Sequence, residues 1–148
     1  MDFPDLCILT QENCLRMYYS SENCILSATS KDGIYWVKER GVRLENGNPG
    51  MKALVNNPSV VRLECGRYRM YFRGADNNAY QSCIFSAISN NGKDFVPEEG
   101  QRMDYIGKYE KHGVGFPNVV KCGESWKMYY TGYWGRHLLE PLTLSRWK

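Results

Sequence analysis

Apolar and polar positions alternate in short runs along the chain, and three runs share one pattern: LRMYYS (15–20), YRMYFRG (68–74) and WKMYYTG (126–132). Alternation places Met17 with Tyr19, Met70 with Phe72 and Met128 with Tyr130 on one face, and Tyr18, Tyr71 and Tyr129 on the other. Apolar residues on both faces predict strands buried on both sides. A Pro-led run precedes each: FPDLCIL from Phe3, NPSVVRL from Asn57 and FPNVVKC from Phe116. Proline is tolerated at a strand start, where a missing N–H does least harm to the ladder. After the first Met-Tyr run comes CILSATSKDGIYWVKE (24–39), which returns fifty-nine residues later as CIFSAISNNGKDFVPE (83–98). Asp32-Gly33 and Asn91-Gly92 within these segments predict two-residue hairpins, whose two central residues both take positive φ.

Each full repeat therefore reads as four strands: the Pro-led strand, the Met-Tyr strand, the CILSATS strand and one around IYWVKE. From Trp36 to Pro58 and from Phe95 to Pro117 the spacing is equal, so the link to the next unit keeps its length. A repeated four-stranded antiparallel meander predicts an all-β β-propeller. Residues 1–148 form one domain of about three blades: about 1–50, about 51–110 and about 111–148. In the third, LTLSRWK aligns with CILSATS, so that blade lacks its outer strand and the total is about 11 strands. Closed propellers have about 4–8 blades, so the expectation is completion by a second copy, a homodimer of six blades. Two flanks of aromatic and Met side chains otherwise face water.

Composition narrows the partners. Hydrophobic residues at 43% and charged residues at 24% are those of a globular protein, and a net charge of +3 spread among acids gives no nucleic-acid footprint. No run approaches the roughly 20 apolar residues of a membrane span, and the start MDFPDLCILTQEN has no basic leader, which places the protein in the cytoplasm. Of the six cysteines, Cys24 and Cys83 are repeat equivalents, Cys7 falls where Val61 and Val120 fall, and Cys122 where Leu63 does. They are expected to be reduced, with Cys24 and Cys83 buried. The cysteines lack metal-ligand spacing and there are two histidines, so neither a metal nor another cofactor is expected.

The tandem of a Pro-led xPxVV strand, a YRMYY strand and an SATSxDGIxW hairpin resembles the five-bladed propeller glycosidases, the superclan of arabinanases, β-xylosidases, invertases and levansucrases. This resemblance implies a carbohydrate ligand at the mouth of a central channel, with carboxylates projecting from the starts of successive inner strands. Glycoside cleavage needs two, one protonating the leaving oxygen and one acting as base or nucleophile. In the family the first stands directly before the proline, as Asp-Pro. Here the residues before Pro4, Pro58 and Pro117 are Phe3, Asn57 and Phe116, none of them acidic. Asp5 follows Pro4 and is a candidate by proximity, although strand alternation turns it to a different face from a pre-proline residue. Asn57 is the polar member of the three and a candidate sugar contact.

Three other segments hold candidates. RGADNNAY carries Arg73 and Asp76 in an insertion of six residues relative to the first repeat, a place for a supporting acid and a sugar-binding cation, or equally for a simple Gly/Asp/Asn turn. In YEKHGVGFPN, Glu110 and His112 replace Met51 and Ala53 of the preceding repeat, although a solvated surface accounts for Glu110 alone. YTGYWGRHLLEP offers Trp134, Arg136, His137 and Glu140, the residue types that stack on sugars and bind their hydroxyls, or a hairpin that packs Trp134 on a neighbour. Trp36 with Phe95, and Tyr68 with Trp126, are repeat equivalents and read as packing between blades. Three functions follow: a glycoside hydrolase, with Asp5, Asp76, Glu110 and Glu140 as acids; a non-catalytic sugar-binding or interaction module; and a glycoside phosphorylase, using Arg73, Arg136 and His137 for phosphate.

Overall fold

A computed structural model describes residues 5–11, 13–49, 51–76, 81–104, 112–134, 137–138 and 142–147. These form three antiparallel sheets. The first holds β1 (Leu6–Thr10), β2 (Leu15–Ser21), β3 (Cys24–Ser30) and β4 (Val37–Lys38) in that order, with β5 (Leu44–Glu45) also pairing β3. The second is β6 (Leu54–Arg62), β7 (Tyr68–Ala75), β8 (Cys83–Ser89) and β9 (Val96–Pro97). The third holds β10 (Val114–Cys122), β11 (Ser125–Trp134) and β12 (His137–Leu138), with β13 (Leu142–Trp147) pairing β11. The architecture is all-β, with the meander order of propeller blades. The two-residue strands β5 and β12 raise the strand number above the eleven expected. Among the described residues no helix is long and apolar enough to cross a membrane.

The hairpin turns differ from the expectation. Asp32 does not take positive φ, and Val37 pairs with Thr29, so the β3–β4 connection is a longer loop. Asp32 Oδ1 accepts the N–H groups of Ile34 and Tyr35, and Ser30 Oγ accepts those of Asp32 and Gly33. Asn91 and Ser89 build the same loop in the second blade. The short polar side chains replace the backbone bonds that a tight hairpin would have made. The two-residue turn with two positive φ angles occurs instead at Glu22-Asn23 (φ 44° and 63°), between β2 and β3.

The strand register also corrects the repeat alignment. Ile8 stands opposite Met17, Val60 opposite Met70 and Val119 opposite Met128, while Cys7, Ser59 and Asn118 stand opposite Tyr18, Tyr71 and Tyr129. Counted by pairing, the first inner strand is offset by two residues from the alignment on proline. Cys7 therefore matches Ser59 rather than Val61. The hydrogen bonds agree: Cys7 Sγ lies 3.3 Å from the Val60 N–H, and Ser59 Oγ accepts the Val119 N–H at 3.0 Å.

One apolar cluster lies between the first two sheets, built from Tyr18, Ile25, Val55, Val60, Met70 and Phe72 among others, and a second lies between the second and third, around Val61, Ile84, Val114, Val119 and Met128. The two faces of each Met-Tyr strand point to opposite neighbours. Met70 and Met128 are buried where Met17 is half-buried; Tyr18 is buried where Tyr129 is exposed. All six cysteines are free; Cys83 is buried, but Cys24 is only half-buried, its thiol donating to the Ser21 carbonyl.

Candidate functional site

The inner strands of the second and third blades carry a bulge where proline enters. Pairing with the neighbouring strand slips between Asn56 and Ser59 and between Gly115 and Asn118. Asn57 and Phe116, the residues before the prolines, take positive φ (53° and 50°). Asparagine tolerates this region, whereas for phenylalanine it is strained, and such strain concentrates at binding sites. By pairing, Asp5 (opposite Ser20) and Leu6 (opposite Tyr19) stand beside the bulged pairs Asn57-Pro58 and Phe116-Pro117. These six residues line one small cleft of about 80 Å³. The expectation that Asp5 points away from the pre-proline positions is thus corrected: Asp5 lines the same cleft as Asn57 and Phe116.

Arg73, on β7, lies near enough for its charge to act on Asp5. Its Nε donates to Ser82 Oγ at 2.9 Å, and Ser82 Oγ in turn donates to the Val114 carbonyl at 2.9 Å. Its guanidinium lies 4.9 Å from the centroid of the Tyr133 ring, a cation–π contact. Gly115 makes this approach possible: a Cβ there would fall 2.8 Å from Arg73 Cδ and 2.9 Å from Tyr133 Oη. Burial pushes the Asp5 carboxyl above its ordinary value, against smaller opposing effects of the Asn57 amide and the Arg73 charge. Burial likewise pushes Arg73 down, opposed by Tyr133 and Asp5, and pushes the Tyr133 hydroxyl up. The Asn57 amide sits near Asp5 without the alignment of a full hydrogen bond. Both its polar atoms, and Tyr133 Oη, are buried and unpaired within the protein. Buried polar groups are normally satisfied, so these atoms are available to pair with a bound group.

Of the residues singled out from sequence, the structure brings together Asp5, Asn57 and Arg73. His112 lies at the same end of the third blade, its N–H bonded to the Tyr133 carbonyl at 3.0 Å, with its side chain exposed. Asp76 does not join them. It is exposed past the end of β7, where its carboxylate lies 3.4 Å from the Lys52 N–H. Glu110, Arg136 and Glu140, and the side chains of Trp134 and His137, lie outside the described residues. Sequence reasoning missed Tyr133, Ser82 and Gly115. Gly115 carried a signal, since a glycine before a strained pre-proline residue marks close approach. Tyr133 carried none, because only the fold sets its ring under Arg73. No group of three or more His, Cys, Asp or Glu able to hold a metal exists among the described residues.

Three meander sheets whose inner strands converge on such a cleft define the fold of the propeller glycosidases. Comparison with solved structures gives the same class. The chain is similar to a family 117 glycoside hydrolase from Zobellia galactanivorans (TM-score 0.72, 14% identity, 87% of this chain and 47% of that one). It is also similar to an exo-β-1,3-galactanase from Phanerochaete chrysosporium, solved with β-1,3-galactotriose (TM-score 0.69, 13% identity, 87% and 32%). A third is the α-L-arabinanase of Cellvibrio cellulosa, complexed with arabinohexaose (TM-score 0.67, 10% identity, 88% and 44%). The chain spans between a third and a half of the length of these enzymes. No family model and no curated protein matches the sequence.

Proposed function

We propose that this chain is a carbohydrate-active protein of the propeller-glycosidase type that takes a glycoside at the cleft between its inner strands, with Asp5 as the carboxylate at the reacting bond. The observation that supports this most is the place of Asp5: it lines the cleft beside Asn57 and Phe116, the pre-proline positions at which the resembling family carries an acid. Burial raises its proton affinity, which strengthens it as a base toward water or a sugar hydroxyl. Arg73 and the unpaired Asn57 amide supply donors for hydroxyls, and Tyr133 offers its hydroxyl beside them. Hydrolysis needs a second carboxyl to protonate the leaving oxygen; Glu110, two residues before His112 in the chain, is the residue we assign to it.

A second reading, a sugar-binding module without turnover, is favoured by one observation: among the described residues, Asp5 is the sole carboxylate lining the cleft. A panel of nitrophenyl glycosides, run with a thermal-shift screen of sugars, separates the two. Turnover lost in both Asp5→Asn and Glu110→Gln supports the hydrolase. A sugar-dependent shift without turnover, abolished by Asp5→Asn, supports the binding module. Turnover that requires phosphate points to a phosphorylase, and neither turnover nor shift with any sugar overturns all three. If Asp5 acts ionised, turnover falls as pH drops through its raised pKa.

A further inference from the structure

The second and third blades carry the same bulge in their inner strands, and the residue that fills it differs. Asn57 occupies it in the second blade, between the Asn56–Arg73 and Ser59–Tyr71 pairs, and Phe116 in the third, between Gly115–Thr131 and Asn118–Tyr129. Both take a left-handed backbone, φ 53° and 50°, and both precede proline. Asparagine is among the residues that tolerate this region, and a bulky aromatic is not. The second blade therefore shows that Asn meets the backbone requirement of the bulge, while phenylalanine in the third is held there at a conformational cost.

Packing among the described residues does not offset that cost. Phe116 is 37% exposed where Asn57 is 4%, and it belongs to neither apolar cluster. It lines the cleft instead, with Leu6, Pro58 and Pro117, while Asp5 and Asn57 add polar groups to the lining. A cleft with apolar and polar linings suits a sugar ring, which carries C–H bonds on its faces and hydroxyls around its rim. The face of a phenyl ring is electron-rich and the C–H bonds of a sugar are weakly positive, so the two attract beyond the burial of their areas.

We propose that Phe116 is the stacking platform of the cleft: its ring receives the C–H face of a sugar ring while the Asn57 amide and the Asp5 carboxylate bond that sugar's hydroxyls. The class of ligand this selects is a cyclic glycoside over an open-chain polyol, because a polyol offers the hydroxyls without a flat C–H face. The assignment rests on the reading of the cleft as a glycoside site and adds to it the residue that recognises the sugar's apolar side.

Titration calorimetry and thermal unfolding of the full chain test it, with the methyl glycosides of β-galactose, β-xylose and α-arabinofuranose as probes, none of which carries an aromatic aglycone, and sorbitol as the open-chain control. The wild type should bind at least one of the glycosides and not sorbitol. Phe116→Asn copies the second blade's residue into the third. It should raise the ligand-free melting temperature by about 2–4 °C, because the left-handed strain is relieved, and weaken glycoside binding about tenfold. Phe116→Tyr, which keeps the ring, should keep the wild-type affinity. A lower melting temperature or a lost sheet signal in Phe116→Asn makes the ring a packing element and overturns the proposal. Wild-type affinity in Phe116→Asn, or sorbitol binding as well as the glycoside, overturns it too and leaves the cleft as a sugar site. A wild type that binds none of the glycosides overturns the reading of the cleft and this assignment with it.

Discussion

The two joints between blades are built on one backbone pattern and do different work. In the first, Arg16 and Glu39 form a largely buried ion pair at 2.8 Å, Ser27 donates to the same carboxylate, and Lys93 of the second blade reaches it at 2.8 Å. Tyr18 is sealed beneath the Gly92-Phe95 loop, and burial pushes its hydroxyl up to about 12. In the second joint, the cross-blade pair is Lys121 with Glu64, on the surface. Its interior instead carries Arg73, Tyr133, Ser82 and the cleft. By strand register Ser20, Arg73 and Thr131 are equivalent, and Ser20 Oγ merely accepts the Asn57 N–H. A position that tethers the backbone in the first joint holds a half-buried cation in the second. The cleft itself draws on all three blades, through Asp5, Asn57 and Phe116.

The largest expected effect separates Tyr18 from its counterpart. Tyr18→Ala should cost about 3–5 kcal/mol in urea unfolding, the usual penalty for removing a buried aromatic, whereas Tyr71→Ala, at a half-buried position, should cost about 2 kcal/mol. Equal losses would show that the joints are packed alike. Next in size is Glu39→Gln, expected to cost about 2 kcal/mol, less than for a fully enclosed pair because its rim reaches water. Glu64→Gln should leave the urea midpoint unchanged, since that pair lies in solvent.

Glycines sharpen the same contrast. Gly33 and Gly92 both have positive φ (77° and 71°), but a Cβ on Gly92 meets Tyr18 Oη and Arg16 Nη1 at 3.0 Å, while on Gly33 it meets Leu15 Cδ1 at 3.3 Å. Gly33→Ala should cost about 1 kcal/mol for the left-handed backbone alone, and Gly92→Ala about 2 kcal/mol.

Acid unfolding gives the direction of the charge effect. Burial opposes ionisation of Glu39 and Glu98, but hydrogen bonds from Lys93 and Ser27 to the first, and from Ser86 and Arg69 to the second, with the arginine charges, hold both below the ordinary 4.5. Their folded pKa values lie under the unfolded ones, so their stabilisation is complete above about pH 4.5 and disappears as pH falls through the folded values. In Glu39→Gln the acid limb should flatten. Arg73→Met should also change stability little, within about 1 kcal/mol, but it should abolish any sugar-dependent thermal shift. A retained shift would move the binding site elsewhere.

The alternation in LRMYYS, YRMYFRG and WKMYYTG, and the recurrence of CILSATS as CIFSAIS, determined the strands, their order and the propeller class. These are local properties: a period of two with apolar residues on both faces leaves the chain few alternatives to a buried strand. Asp5 was visible as a candidate, and Asn57 and Arg73 stood out as polar residues where the repeat has others. What sequence alone placed wrongly was register. Aligning on proline set Cys7 beside Val61, but tertiary pairing shifts the first inner strand by two residues, because the bulges at Asn57 and Phe116 consume chain that the first strand does not. That shift turns Asp5 from a bystander into a neighbour of Asn57 in the cleft. Likewise Asp32-Gly33 reads as a tight hairpin, yet Ser30 and Asp32 side chains cap a longer loop. Contacts such as Arg73 on Tyr133 join residues sixty positions apart, and only the packing of one blade on the next decides them.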